Sequence, residues 1–186
     1  SVVWSGVHRP AQPLVLDREP LVLYVGSIFT RRHIPELIRA FAQVSRQIAT
    51  AQLVLVGDNR SSPRQDPVKL AIAAGIADRI SVRSYISESE LSELYAKATV
   101  FVFLSEYEGF GFPPLEAMAT GIPTIVGDTE VARELYMSAS LRVPVNDVMA
   151  IAASIRQLLQ DSGKRAALLS AAAARLPHFT WTRAAA

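Results

Sequence analysis

The sequence predicts an α/β fold, a doubly wound Rossmann-like parallel sheet, and three observations predict it. The short apolar runs are continuous rather than alternating, as strands buried on both faces are. Amphipathic stretches with helical spacing lie between them. Half of the 186 residues are hydrophobic, enough for one sizeable core. Right-handed crossovers wind such a sheet on both faces.

The elements follow in order along the chain. LVLYV (21–25) reads as a buried strand ended by Gly26. Ile34, Leu37, Ile38, Phe41 and Ile48 then share one helical face. QLVLV (52–56) is the next strand, closed by Gly57 and Asp58. The polar loop NRSSPRQDP (59–67) leads into a short helix from about Val68 to Ala74, stopped by Gly75. ISVRS (80–84) is a further strand. Ser87 and Glu90 have capping-box spacing and open a helix through Tyr95. TVFVF (99–103) is β-branched and aromatic, as strands prefer. After the glycine-rich segment 105–114, a helix is expected to begin at Pro114, since proline suits the first turn. Gly121 and Pro123 end it. PTIVG (123–127) and LRV (141–143) are the last strands. Asp147–Asp161 and 164–176 read as two helices.

The composition excludes several classes. There is no cysteine, hence no disulfide framework and no zinc–thiolate site. A formal net charge of +2 predicts no nucleic-acid partner. No apolar run approaches the roughly 18 residues of a transmembrane helix, and the start lacks the pattern of a signal peptide. Membrane contact is not expected of this chain. The start, SVVWSGVHRPAQP, reads like a linker and the end, LPHFTWTRAAA, stops abruptly, as in a piece of a longer protein. The expected organisation is a linker remnant over 1–20, one domain over 21–176 and the start of a further segment over 177–186. Trp4 and Trp181 would pack on sequence beyond this piece. His8 and His178 read as surface residues, and His33 as the start of a helix.

Sheets of this kind bind ligands beyond the carboxyl ends of their strands. The loops to inspect are 26–33, 57–60, 84–87, 104–113 and 127–130. In the first, Gly26 and Ser27 are followed by Arg31 and Arg32, just before a helix start. Cations there oppose the helix dipole unless an anion relieves them, which suggests a diphosphate site. A solvated basic turn is the alternative. There is no GxGxxG and no GxxxxGK[ST], which disfavours a dehydrogenase.

The second constellation is Glu108-Gly109-Phe110-Gly111-Phe112-Pro113-Pro114-Leu115-Glu116. Glu108 leaves a strand end in the crevice. Gly109 and Gly111 let the backbone turn and approach a ligand, and their amides form a concave donor array with those of the next helix. Glu116 is placed in the first turn of that helix. Ionised carboxylates accept from paired hydroxyls such as those of ribose and hexose. A helix-start charge for Glu116 and a solvated loop residue for Glu108 are the plainer alternatives. A hydrolase acid–base pair or a metal site is disfavoured, because no histidine or aspartate cluster accompanies the two. Tyr85 and Ile86, at the crevice rim, are candidates for backbone contact with a base.

FLSEYEGFGFPPLEAMATGIPTIV (103–126) resembles the E-x7-E signature of the retaining GT-B glycosyltransferases of group one. YVGSIFTRRHIPELIRAF (24–41), VLVGDN (54–59) and SYISESELSELYAKATVFV (84–102) extend the resemblance. It implies the carboxy-terminal, donor-binding half of a GT-B fold, with the amino-terminal acceptor domain of the same protein as its missing partner. It implies a UDP- or GDP-hexose as substrate, no cofactor and no metal. Glu108 would hold the sugar hydroxyls, with Gly109, Phe110 and Gly111 passing along the sugar and phosphate. Leu115 would offer its amide to the diphosphate, and Glu116 would bind the ribose. Arg31 and Arg32 would hold the leaving group, with Glu108 and Arg32 serving catalysis. Arg32 stands where the family commonly has lysine, and Ser27 where an arginine is frequent. Cytoplasmic location, peripheral at the inner membrane face for the whole protein, is a family-level expectation. A binding module without activity of its own, or a related sugar-nucleotide epimerase, are the competing readings.

Overall fold

The computed structural model describes residues 18–109 and 111–179. Six parallel strands form one sheet: β1 (Glu19–Val25), β2 (Gln52–Val56), β3 (Ile80–Arg83), β4 (Ala98–Phe103), β5 (Thr124–Gly127) and β6 (Ser140–Val143). Their spatial order is β3-β2-β1-β4-β5-β6. The first three strands run outward in one direction and the last three in the other. The switch therefore falls between β1 and β4, where the connecting helices leave on opposite faces and a crevice opens. Leu23 of β1 is in register with Val54 of β2 and with Phe101 of β4.

The predicted strands are present because their side chains are buried on both faces. Leu23, Leu53, Leu55, Val100, Phe101 and Val102 are fully enclosed. The helices are α1 (Ile34–Ser45), α2 (Pro67–Ala73), α3 (Glu88–Lys97), α4 (Phe112–Ala119), α5 (Glu130–Tyr136), α6 (Val148–Gln160) and α7 (Ser162–Arg175). α1 lays Ile34, Leu37, Ile38 and Phe41 into the core and packs against α6. The capping box is realised: the Glu90 backbone donates to Ser87 Oγ at 3.3 Å and the Ser87 backbone to Glu90 Oε2 at 2.9 Å. A second apolar cluster, including Leu115, Leu135, Tyr136, Ala172 and Phe179, seals α4 and α5 against α7.

Two expectations are corrected. α4 begins at Phe112, not Pro114, so Pro113 sits within the first turn and Glu116 lies one turn further in. α5 was not expected at all. Thr129 caps it, its hydroxyl accepting from the Ala132 amide at 3.1 Å. Trp4, His8, Phe110 and Trp181 lie outside the described residues, as does nearly all of the expected linker and most of segment 177–186.

Candidate functional site

The loops that leave β1 and β4 meet above the switch point. Thr30–Arg32 form a 3₁₀ turn, and His33 follows with φ 51° before α1 begins. This turn aims the Arg32 side chain inward, where only 9 % of the residue is exposed. Its Nε donates to Glu108 Oε1 at 3.1 Å, Nη2 lies 2.9 Å from the same oxygen, and Nη1 donates to the Ser27 carbonyl at 2.9 Å. The guanidinium carbon lies 4.8 Å from the centre of the Phe103 ring. Gly26 makes room: a Cβ there would fall 2.5 Å from Arg32 Nη1, and its φ of 146° already disfavours any side chain.

Glu108 is held from its own loop as well, because the Ser105 hydroxyl donates to Oε1 at 2.8 Å. Neighbouring bonds stitch the loops together. Glu106 N donates to the Arg31 carbonyl at 3.0 Å, Arg31 Nε to the Tyr107 carbonyl at 3.4 Å, and His33 Nε2 lies 2.9 Å from Glu106 Oε1. Beneath them Tyr24 gives its hydroxyl to the Ser27 carbonyl at 3.0 Å; burial pushes its phenol up to about 12, against the pull of Arg32. Sequence reasoning took the two arginines as unrelieved cations at a helix start. The structure pairs Arg32 with Glu108 and Arg31 Nε with the Tyr107 carbonyl, while Glu106 and Glu36 flank His33.

Glu116 is engaged away from the Arg32–Glu108 pair, by Tyr95 of α3. The Tyr95 hydroxyl donates to its Oε2 at 3.4 Å, and burial pushes its carboxyl above the usual carboxylate range, partly offset by that bond. A first-turn charge on the helix dipole is thereby ruled out for it. Leu115 is fully buried, three residues past the helix start. The donor array is sparser than expected, since Pro113 and Pro114 carry no N–H. Among the two loop glycines only Gly111, with φ 74°, requires a left-handed turn; Gly109 faces open space. Tyr85 is 88 % exposed and Ile86 half-buried at the edge of β3. That edge is joined to the site through Gly57 N to the Arg83 carbonyl, 2.8 Å, and Gly26 N to the Val56 carbonyl, 2.8 Å.

Beside Glu108 lies a cavity of about 20 Å³, room for roughly one water molecule, bounded by Phe103, Ser105, Thr129 and Tyr136. Sequence reasoning missed Ser105, Tyr95 and Tyr136. Ser105 was within reach, as a hydroxyl two residues past a strand end. Tyr136 was not, because its helix was unforeseen. Among the described residues, no group of three or more His, Asp or Glu could hold a metal ion, and no helix is long and apolar enough to cross a membrane.

A family model described as "Glycosyl transferases group 1" matches residues 9–175. The chain is 31 % identical over 160 residues to O-antigen chain mannosyltransferase B of Escherichia coli, covering 86 % of this chain and 42 % of that protein. It is 33 % identical over 177 residues to D-inositol 3-phosphate glycosyltransferase of Salinispora tropica, covering 90 % and 36 %. Among solved structures it resembles sucrose-phosphate synthase from Thermosynechococcus elongatus, with a TM-score of 0.74 at 31 % identity, over 90 % of this chain and 43 % of that one. The chain thus spans about two fifths of the length of these relatives.

Proposed function

The chain belongs to the group 1 glycosyltransferases, and from that premise we propose that it binds the donor for a retaining hexosyl transfer. The donor is a nucleoside diphosphate hexose, UDP- or GDP-linked, and the acceptor is a hydroxyl. One observation carries this reading: a guanidinium and a carboxylate from the loops after β1 and β4 converge at the switch point of the sheet. Arg31 and Arg32 take the diphosphate, and Glu108 takes the sugar hydroxyls. The backbone at Gly109, Phe110 and Gly111 follows the sugar and phosphate, while Gly26 and Ser27 shape the floor. Glu116, with the Leu115 amide nearby, receives the ribose, and Tyr85 and Ile86 border the base. The raised affinity of Glu116 for its proton suits a carboxylate that gains hydroxyl donors only when ligand arrives.

In the reaction, the acceptor oxygen bonds to the anomeric carbon on the face from which the diphosphate departs, the electron pair of the broken bond leaves on phosphate oxygen, and that oxygen takes up the acceptor's proton. The arginines, rather than a metal or other cofactor, answer that developing charge, and the Glu108, Ser27 and Tyr107 contacts orient them. The acceptor is brought by a second domain of the whole protein, consistent with relatives more than twice as long. Calorimetric titration of this chain with UDP, GDP and ADP tests the reading. Saturable binding of one of them, lost in Glu116→Ala with the fold intact, is expected. No uptake of any of the three would overturn it. With the full-length protein, epimerised nucleotide sugar without glycoside would replace transfer by epimerisation.

A further inference from the structure

Tyr136 ends α5, a helix that enters the reading of the site only through its cavity wall. The residue is 4 % exposed, and its hydroxyl donates to the Gly111 carbonyl at 3.0 Å. Gly111 is the left-handed residue, φ 74° and ψ 51°, from which α4 departs. A Cβ at Gly111 would fall 2.1 Å from the Tyr136 hydroxyl oxygen. The bare glycine and the phenol therefore occupy one another's space. The same side chain bounds the small cavity beside Glu108 and Ser105.

The end of α5 is fastened with unusual care. Arg175 donates from Nε to the Leu135 carbonyl and from Nη2 to the Glu134 carbonyl, both at 2.9 Å. Arg142 donates to the Met137 carbonyl. Met137 itself holds φ 49° and ψ −120°, a backbone conformation that a side chain disfavours and that persists only where its surroundings impose it. The strained residue directly follows Tyr136, at the end of the helix that carries it.

We infer that Tyr136 is a positioning residue, whose hydroxyl anchors the exit of the Glu108–Gly111 loop and so fixes Glu108 against the donor sugar. This rests on the donor-site reading above. The loop's entry is held by Ser105 and Arg32, and its exit by Tyr136. Without the second anchor, a segment with two glycines has freedom to move the carboxylate away from the sugar. The effect falls first on Glu108 and the sugar, since the Tyr136 hydroxyl bonds the loop, while Arg32 keeps its separate bond to the Ser27 carbonyl.

The test is Tyr136→Phe in the full-length protein, which removes one oxygen and keeps the ring. Transfer is expected to lose kcat by at least about tenfold, as small misplacements of a reacting group do. Affinity for the free nucleoside diphosphate should stay within about twofold and the melting temperature within a few degrees, because packing is kept. Amide exchange over 105–112 should quicken while β4 stays protected. Unchanged kcat, or a loss that merely parallels lost stability and lost diphosphate affinity, would overturn the inference and leave the donor reading standing. Absence of nucleotide binding in the parent protein would sink both.

Discussion

Arg32 and Glu108 are 76 residues apart in sequence, yet two guanidinium nitrogens of the one share a single carboxylate oxygen of the other. The pair spans β1 and β4, the two strands between which the sheet reverses its order. It is largely shielded from water, which strengthens the attraction and raises the cost of leaving either partner alone.

Arg32→Ala should lower kcat/KM of the full-length protein by about 2–4 kcal/mol of transition-state stabilisation, roughly 30- to 1000-fold. Arg32→Lys should fall between, since it keeps the charge and loses the planar fork. Steady-state kinetics with the natural donor reads both. Equal rates for all three proteins would remove Arg32 from the chemistry.

Two glycines separate fold from ligand. Gly26→Ala places a Cβ against Arg32 Nη1 in a backbone conformation hostile to side chains, and should cost about 1–3 kcal/mol of stability along with activity. Gly109→Ala meets nothing within 4 Å, so stability should stay within about 0.5 kcal/mol. Donor affinity should nevertheless weaken if the backbone follows the sugar. Denaturant melts and donor titrations of the two variants check this, and reversed behaviour would contradict it.

Burial raises the Glu116 carboxyl above its ordinary 4.5. Just above that pH the folded chain holds a proton that the unfolded chain has released. Its contribution is therefore full below pH 4.5 and is lost as pH rises through the higher folded value. Glu116→Gln should flatten this decline and also weaken nucleotide binding. Melting temperatures of both proteins from pH 4 to 8 supply the comparison; parallel curves would count against a strained carboxylate.

Ser87→Ala removes the cap of α3 and should cost about 0.5–2 kcal/mol. Thermal unfolding measures it. No loss would mean that Glu90 alone holds the helix start.

The strands were legible because burial on both faces leaves a continuous apolar run, as in 21–25 and 52–56. The capping box of α3 was legible because its bonds are local. α5 was hidden: it has seven residues, and the cluster that stabilises its Leu135 and Tyr136 comes from α4 and α7, distant in sequence. The start of α4 was misplaced because Phe112, not the second proline, takes the first helical position. Arg32 and Glu108 were expected to converge on one pocket at the same sheet edge, but their direct ion pair depends on β1 lying beside β4. Strand order is a non-local property that no spacing within either loop encodes.

A structure of this chain with its nucleoside diphosphate hexose bound tests the central claim most directly. The account predicts phosphate oxygens within about 2.7–3.2 Å of Arg31 or Arg32 and a sugar hydroxyl on Glu108. A ligand seated away from the loops after β1 and β4, with Arg32 and Glu108 untouched, would contradict it.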